Sequence, residues 1–328
     1  MADPIRAEFE VLDERFRFFG GDHVLERLHT GCRWTEGPAY FPAGRYLVFS
    51  DIPNDRLLRW DETTGVVGEF LRPSGYANGH SVDRRGRLLS CEHGNRRVTR
   101  TEADGSVTVL ADAYEGKRLN SPNDVVERVD GSVWFTDPAY GIDSDYEGHR
   151  AESEIGGCHV YRIDPVTGQV AIVADDFDRP NGLAFSADER QLYITDSERD
   201  HIRLFSVAED SVAEDSVAED GVSEDGVTAG ARLEGGAVFA TCDAGTFDGI
   251  RLDSAGRIWA SAGDGLHCFD PDGTLIGKLR VPETVANLEF GGPQRNQLFI
   301  CATTSLYSIR VNVTGVAYPA GQATPRQG

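Results

Sequence analysis

Six residues of this 328-residue chain stand at one register, and every one carries a side-chain oxygen: Glu36, Asn78, Asn123, Asn181, Asp248 and Asn287. Each precedes by eight positions a residue where a tight turn is expected, in order Gly44, Gly86, Gly131, Glu189, Gly256 and Arg295. Carboxylates and carboxamides without nitrogen or sulfur donors suit a hard divalent cation, and two carboxylates match its charge. Ca²⁺, which takes about six to eight oxygens, fits best, with Mg²⁺, Mn²⁺ and Zn²⁺ as other candidates. A plainer origin for the pattern also exists. Asn and Asp favour turns before strands, and Asn78-Gly79, Asn181-Gly182 and Asp248-Gly249 read as turn dipeptides. That origin accounts for the residues singly, but not for Glu36 at the same register.

A site arises only if the fold brings these six distant positions together, and the elements that must do so are short strands. Asn123 opens Asp124-Val-Val-Glu, a turn follows at Asp130-Gly131, and Ser132-Val-Trp134-Phe-Thr-Asp137 runs back. Each copy continues into a second hairpin, as in Leu57 to Gly65, Val98 to Gly105, Val160 to Gly168 and Leu266 to Gly273. Four short strands, repeated six times at a base period of about 40–45 residues, predict an all-β six-bladed propeller with four antiparallel strands per blade. The blades span about 34–70, 77–110, 122–173, 180–240, 247–281 and 287–310, the last with three strands. An unclosed ring would leave two unpaired edges. The N-terminal strand His23-Val-Leu-Glu-Arg-Leu-His29 is therefore expected to complete the sixth blade and close the ring. The first strand of each propeller blade lies innermost, so the six oxygen-bearing positions should converge at one end of a central channel in a single domain of residues 1–328.

Trp34-Thr-Glu36-Gly37-Pro38, Ser121-Pro-Asn123-Asp124, Trp134-Phe-Thr-Asp137-Pro138, Arg179-Pro-Asn181-Gly182-Leu-Ala-Phe and Asp248-Gly249-Ile together resemble the SMP-30/gluconolactonase family, six-bladed propellers that hydrolyse sugar lactones. The resemblance implies metal ligands at Glu36, Asn123, Asn181 and Asp248, with Asp248 as general base. It leaves Asn78 and Asn287 to face substrate or support the ligands. It implies metal-dependent opening of a sugar lactone, such as glucono-1,5-lactone, to the aldonic acid. The cation would polarise the carbonyl, and Asp248 or a water activated by the cation would supply the nucleophile. Ser121 and Tyr140 stand where the animal branch of the family has Arg and Glu, so the sugar pocket is expected to differ. Asn123, Asn78, His93 and Tyr140 are the expected substrate contacts. Two alternatives stand beside this: a phosphotriesterase-like hydrolase on the same cage, and a non-catalytic propeller binding platform, since fold does not fix function.

The polar insertion from Tyr140 to Glu154, between the second and third strands of blade three, is expected to rise over the channel as a lid. Residues 206–226 repeat Ser-Val-Ala-Glu-Asp and then Gly-Val-Ser-Glu-Asp; so acidic and apolar-poor a tract is expected to be a flexible loop in the outer hairpin of blade four. Residues from about 316 to 328 read as a C-terminal tail. The net charge of −22 argues against nucleic acid or an anionic membrane as partner, because phosphates call for basic patches. No apolar run of about 18 residues occurs and the N-terminus lacks a secretory layout, so a cytoplasmic monomer or small homo-oligomer acting on a small sugar lactone is expected. Six cysteines without a C-x-x-C pair should be free and mostly buried. No Gly-x-Ser-x-Gly elbow points to serine chemistry, and nothing reads as a phosphate loop.

Overall fold

A computed structural model describes residues 4–17, 19–209 and 231–316. Of the seven antiparallel sheets among the described residues, six are the blades of the expected propeller. The innermost strands are Thr35–Phe41, Ala77–Val82, Val125–Glu127, Pro180–Phe185, Ile250–Leu252 and Val285–Gly291. Each packs beside the next in chain order, and the last packs against the first. Middle strands such as Leu88–Glu92, Val133–Asp137 and Ile258–Ala262 are buried along their whole length. A blade has a neighbour on each face, so both faces of these strands want apolar residues and the sequence shows continuous runs instead of alternation. The core therefore lies between blades. Trp134 of blade three packs edge-on against Phe185 of blade four at 5.5 Å, and Trp259 of blade five meets Phe290 of blade six at 6.1 Å.

Ring closure follows the expectation. Val24–Thr30 pairs antiparallel with Ser305–Arg310 and supplies the fourth strand of the sixth blade. The chain before it, which the hydrophobic pattern does not single out, adds two further strands. Ile5–Arg6 extends blade six through Val24–Thr30, and Glu8–Val11 extends blade five along Leu275–Arg280. Between them and the ring, Phe16 is buried 5.9 Å from Trp259. The N-terminal segment thus covers two of the six outer sheet edges, which would otherwise offer unpaired backbone groups.

The expected turns hold a left-handed residue at Gly86, Gly131, Glu189, Gly256 and Arg295. In blade one that residue is Arg45 and not Gly44. Glu189 occupies the strained conformation with a compensating bond: its carboxylate accepts from the Val129 amide at 2.6 Å, and it also pairs with Arg84. The acids that close the second strands are likewise structural. Asp51 accepts from the Arg33 amide at 2.9 Å, Asp137 from Asn120 at 2.8 Å, and Asp196 from Asp178 and Arg179 at 2.9 and 3.0 Å. Each ties the segment entering a blade to the end of that blade's second strand.

Of the acidic tract, Ser206 to Glu209 continue the strand His201–Glu209, which pairs with Ala231–Thr241; residues 210–226 lie outside the described residues, as does the tail from residue 317. All six cysteines are free, four of them buried. Among the described residues no helix is long and apolar enough to cross a membrane.

Candidate active site

The inner strands are irregular where the candidate residues stand. Pairing with the second strand shifts register between Glu36 and Ala39, Ala77 and His80, Pro180 and Leu183, and Val285 and Asn287. In blades three and five, regular pairing begins at Val125 and Ile250, two residues after Asn123 and Asp248. Such bulges re-aim side chains away from the alternation of a regular strand. The dipeptides Asn78-Gly79 and Asn181-Gly182 lie within strands, which removes the turn explanation for them.

Glycine serves close approach instead. A Cβ on Gly182 would stand 2.5 Å from the Asp248 carbonyl oxygen and 2.8 Å from Gly249 Cα. The Gly79 amide donates to the Asn123 carbonyl at 2.8 Å, Gly182 to Asp248 at 3.2 Å and Gly249 to Ala286 at 2.8 Å. A backbone girdle therefore joins blade two to three, four to five and five to six directly at the candidate side chains, and fixes their mutual positions.

Within the girdle Glu36, Asn78, Asn123, Asn181 and Asn287 are buried, while Asp248 is partly open to the channel. Glu36 accepts from the Gly37 amide at 2.8 Å and from the Asn287 carboxamide at 3.0 Å, a contact between blades one and six. The Asp248 carboxylate, from blade five, neighbours that of Glu36; burial, with the Asp124 and Glu147 charges, pushes Glu36 toward the protonated form, and burial, with repulsion from Glu36, pushes Asp248 the same way. The charged groups acting most strongly on Asp248 are all acids: Glu36, Glu147 and Asp124. Asn181 donates its amide to Ser197 at 3.0 Å, and Ser197 donates on to the Phe247 carbonyl at 2.7 Å, so the Asn181 oxygen is the end left to the channel. The Asn123 carboxamide has no hydrogen-bond partner among the described residues.

The insertion of blade three does cover this end. Its first turn is the short helix Tyr140–Asp143, and the chain then folds back, with His149 and Ala151 donating to the Gly141 and Ile142 carbonyls at 3.0 Å each. Ser121 fastens it by donating to the Pro138 carbonyl at 2.6 Å and accepting from the Gly141 amide at 2.9 Å. Tyr140 reaches Ser197 and Asn181 and feels the Asp248 charge; burial raises its phenol to about 12, so it is a neutral donor at ordinary pH. Arg179 lies over its ring at 5.0 Å. His93 is buried, and both ring nitrogens have protein partners: Asn78 at 3.2 Å and the Glu147 carbonyl, on the lid, at 3.2 Å. Burial lowers it to about 4, so it is neutral. In this arrangement His93 buttons the lid to blade two and has no nitrogen left for a sugar.

Residues 34–304 match the family model described as SMP-30/gluconolactonase/LRE-like region. The chain belongs to the SMP-30/gluconolactonase/LRE-like family. A gluconolactonase of Zymomonas mobilis is 30% identical over 307 residues, covering 89% of this chain and 82% of that protein. The pentonolactonase XacC of Haloferax volcanii is 31% identical over 285 residues, 84% of each. A solved gluconolactonase from Xanthomonas campestris superposes with a TM-score of 0.82 at 34% identity, over 94% of this chain and 97% of that one.

The buried Glu36 carboxylate beside the partly open Asp248 carboxylate, with only the neutral Gly37 amide and Asn287 carboxamide bonded to Glu36, forms a donor set that a doubly charged cation would satisfy. Among the described residues of this SMP-30/gluconolactonase-family chain, no three His, Cys, Asp or Glu are grouped to hold a metal. Any ion in the channel would thus be shared by carboxylates and carboxamides. A cavity of about 600 Å³ also opens between the far ends of the inner strands, lined by Val82, Val126, Phe185, Arg251 and Leu252 among others. It lies beyond the girdle from Glu36 and Asp248 and contains none of the candidate residues.

Glu147 and Asp124 are the site residues that the sequence pattern does not pick out. Asp124 is buried and sits 3.6 Å from Arg251. Its signal was available, as the acid between Asn123 and the strand Val125–Glu127. Glu147 is one of five acids in the lid, and no periodicity distinguishes it.

Proposed function

We propose that this chain hydrolyses a sugar lactone of the aldono-lactone type, such as glucono-1,5-lactone, to the free acid, using a divalent cation held by Glu36, Asn123, Asn181 and Asp248. The observation that carries the reading is the juxtaposition of the Glu36 and Asp248 carboxylates from blades one and five inside a ring of carboxamides. Kinship with the Zymomonas gluconolactonase and the Haloferax pentonolactonase supports the substrate class. The hard-oxygen donor set supports Ca²⁺. A cation bound there would supply Lewis-acid polarisation of the lactone carbonyl.

The chain's own groups do the rest. Asp248, the one member of the set partly open to the channel, would be kept ionised by a bound cation; it then accepts the proton of the attacking water and returns it to the leaving ring oxygen. Tyr140 donates a hydrogen bond into the same space from the lid, and Asn78 and Asn123 offer carboxamides to the sugar hydroxyls. The lid excludes bulk water while the ester is attacked. The hydrogen-bonding character of Asn78, Asn123, Tyr140 and Glu147 favours a polyhydroxylated lactone over a phosphotriester.

Acid release from a panel of aldono-lactones, followed in a pH-stat on protein freed of metal and then supplied with Ca²⁺, Mg²⁺, Mn²⁺ or Zn²⁺, tests this. The reading expects metal-dependent turnover of at least one neutral lactone, abolished by Asp248→Asn. Turnover retained by Asp248→Asn with normal metal binding removes the proton-acceptor role, and no turnover with any pairing removes the lactonase reading.

A further inference from the structure

The lid side of the site presents hydrogen-bond acceptors. The Glu147 carboxylate has no hydrogen-bond or ion-pair partner among the described residues, yet it is near enough to Glu36 and Asp248 to act on the charge of both. It is only partly exposed, and enclosure by protein raises it to about 7. Asn78, 4% exposed, donates its amide to His93, which leaves its carbonyl oxygen buried without a partner. These two acceptors are held in one assembly, because His93 bridges from Asn78 to the Glu147 backbone. A buried acceptor left unpaired is costly, so the Asn78 oxygen is explained if a bound molecule supplies a donor.

We propose that Glu147, working with the Asn78 carbonyl, is a specificity-determining residue that selects neutral, polyhydroxylated lactones and rejects lactones carrying a phosphate, sulfonate or carboxylate. The inference rests on the lactonase reading above and assigns the substrate class within it. A sugar lactone offers several hydroxyl donors and no charge, so it satisfies both acceptors. An anionic substituent turned toward the lid would instead meet the unpaired Glu147 carboxylate and would bring no donor to the Asn78 oxygen. Specificity of this kind uses repulsion against the wrong ligand as well as contacts to the right one.

The test compares kcat/KM for glucono-1,5-lactone and for 6-phosphoglucono-1,5-lactone, at saturating metal and with spontaneous hydrolysis subtracted, in the wild type, Glu147→Gln and Glu152→Gln. Glu152 is an exposed acid of the same lid, so its variant controls for net charge and lid integrity. The wild type is expected to favour the neutral lactone. Glu147→Gln should reduce that preference on the order of tenfold, through a higher KM for the neutral substrate and a lower one for the anionic. Glu152→Gln should leave the preference unchanged. Wild-type turnover with an unchanged preference in Glu147→Gln, or an equal change in Glu152→Gln, overturns the inference while the lactonase reading stands. Absence of turnover on both lactones overturns the lactonase reading itself. A melting temperature of Glu147→Gln within a few degrees of wild type excludes a folding defect as the source of any change.

Discussion

Substituting Gly182 by Ala tests whether the interblade girdle positions the site. The added Cβ would lie 2.5 Å from the Asp248 carbonyl oxygen, 2.8 Å from Gly249 Cα and 3.0 Å from the Ile250 nitrogen, all backbone atoms that cannot rotate away. Restoring ordinary contact at 3.4 Å requires blades four and five to part by about 0.9 Å at this point. The parting stretches the 3.2 Å bond from the Gly182 amide to Asp248 and moves Asp248 relative to Asn181, its neighbour in the proposed ligand set. Overpacking of this kind typically costs about 1–3 kcal/mol, which lowers the melting temperature by roughly 2–6 °C. A displacement near 1 Å at a catalytic group costs roughly 100-fold in rate. Activity should therefore fall far more than stability. Thermal unfolding by circular dichroism and pH-stat turnover report the two effects, with Gly68→Ala as control, because a Cβ there meets nothing within 4 Å and the strand is an outer one. A Gly182→Ala protein with wild-type turnover would show that the girdle does not set the geometry of Asp248.

The remaining predictions concern the framework. Leu25, 1% exposed in the closing strand, should cost about 2–5 kcal/mol when changed to Ala, read from urea unfolding; an effect under about 1 kcal/mol would contradict its place in the core. Deleting residues 4–12 uncovers the outer edges of blades five and six and should produce concentration-dependent association by size-exclusion chromatography, whereas a monodisperse, wild-type profile would contradict that role. His80 bonds Ser50 at 2.8 Å and Ser90 at 2.9 Å, and its burial holds it near 4, below its unfolded value near 6.5. The unfolded chain takes the proton first, so stability should be lost as pH falls from about 6.5 to 4, by on the order of 3 kcal/mol, and His80→Gln should remove that slope. Asp137 has the opposite sign: burial raises it to about 7 from an ordinary 3.8, so the native state holds its proton longer and its contribution declines as pH rises between those values. Melting temperature against pH should accordingly tilt in opposite directions for His80→Gln and Asp137→Asn; the same tilt in both would refute the assignment.

The propeller was legible because its signal is repeated. Six copies of strand, turn and strand establish a register that no single copy could, and the register gathers Glu36, Asn78, Asn123, Asn181, Asp248 and Asn287 at one end. The turn at Arg45 departed from the frame by one residue, since a left-handed position can be filled by a neighbour of glycine when the hairpin allows it. Gly79 and Gly182 were ambiguous for a physical reason: close approach and turn formation both call for glycine, and only the neighbouring blade tells them apart. The roles of His93 and Glu147 depend on how the lid folds back, which a single polar insertion does not encode in any period. The strands Ile5–Arg6 and Glu8–Val11 are too short to display an alternation, and their pairing partners lie some 270 residues away in the case of Glu8 and Arg280.

Glu36 and Asp248 are proposed to hold one cation between them. Calorimetric titration of Ca²⁺ into metal-free protein measures this directly, run on the wild type, Glu36→Gln and Asp248→Asn with circular dichroism confirming that each remains folded. The expected result is one channel ion per wild-type chain and a loss of affinity of at least about 100-fold in each single variant, because removing either carboxylate halves the charge offered to the ion. A wild-type protein that takes up no divalent cation, or variants that bind it as tightly as the wild type, would contradict the account.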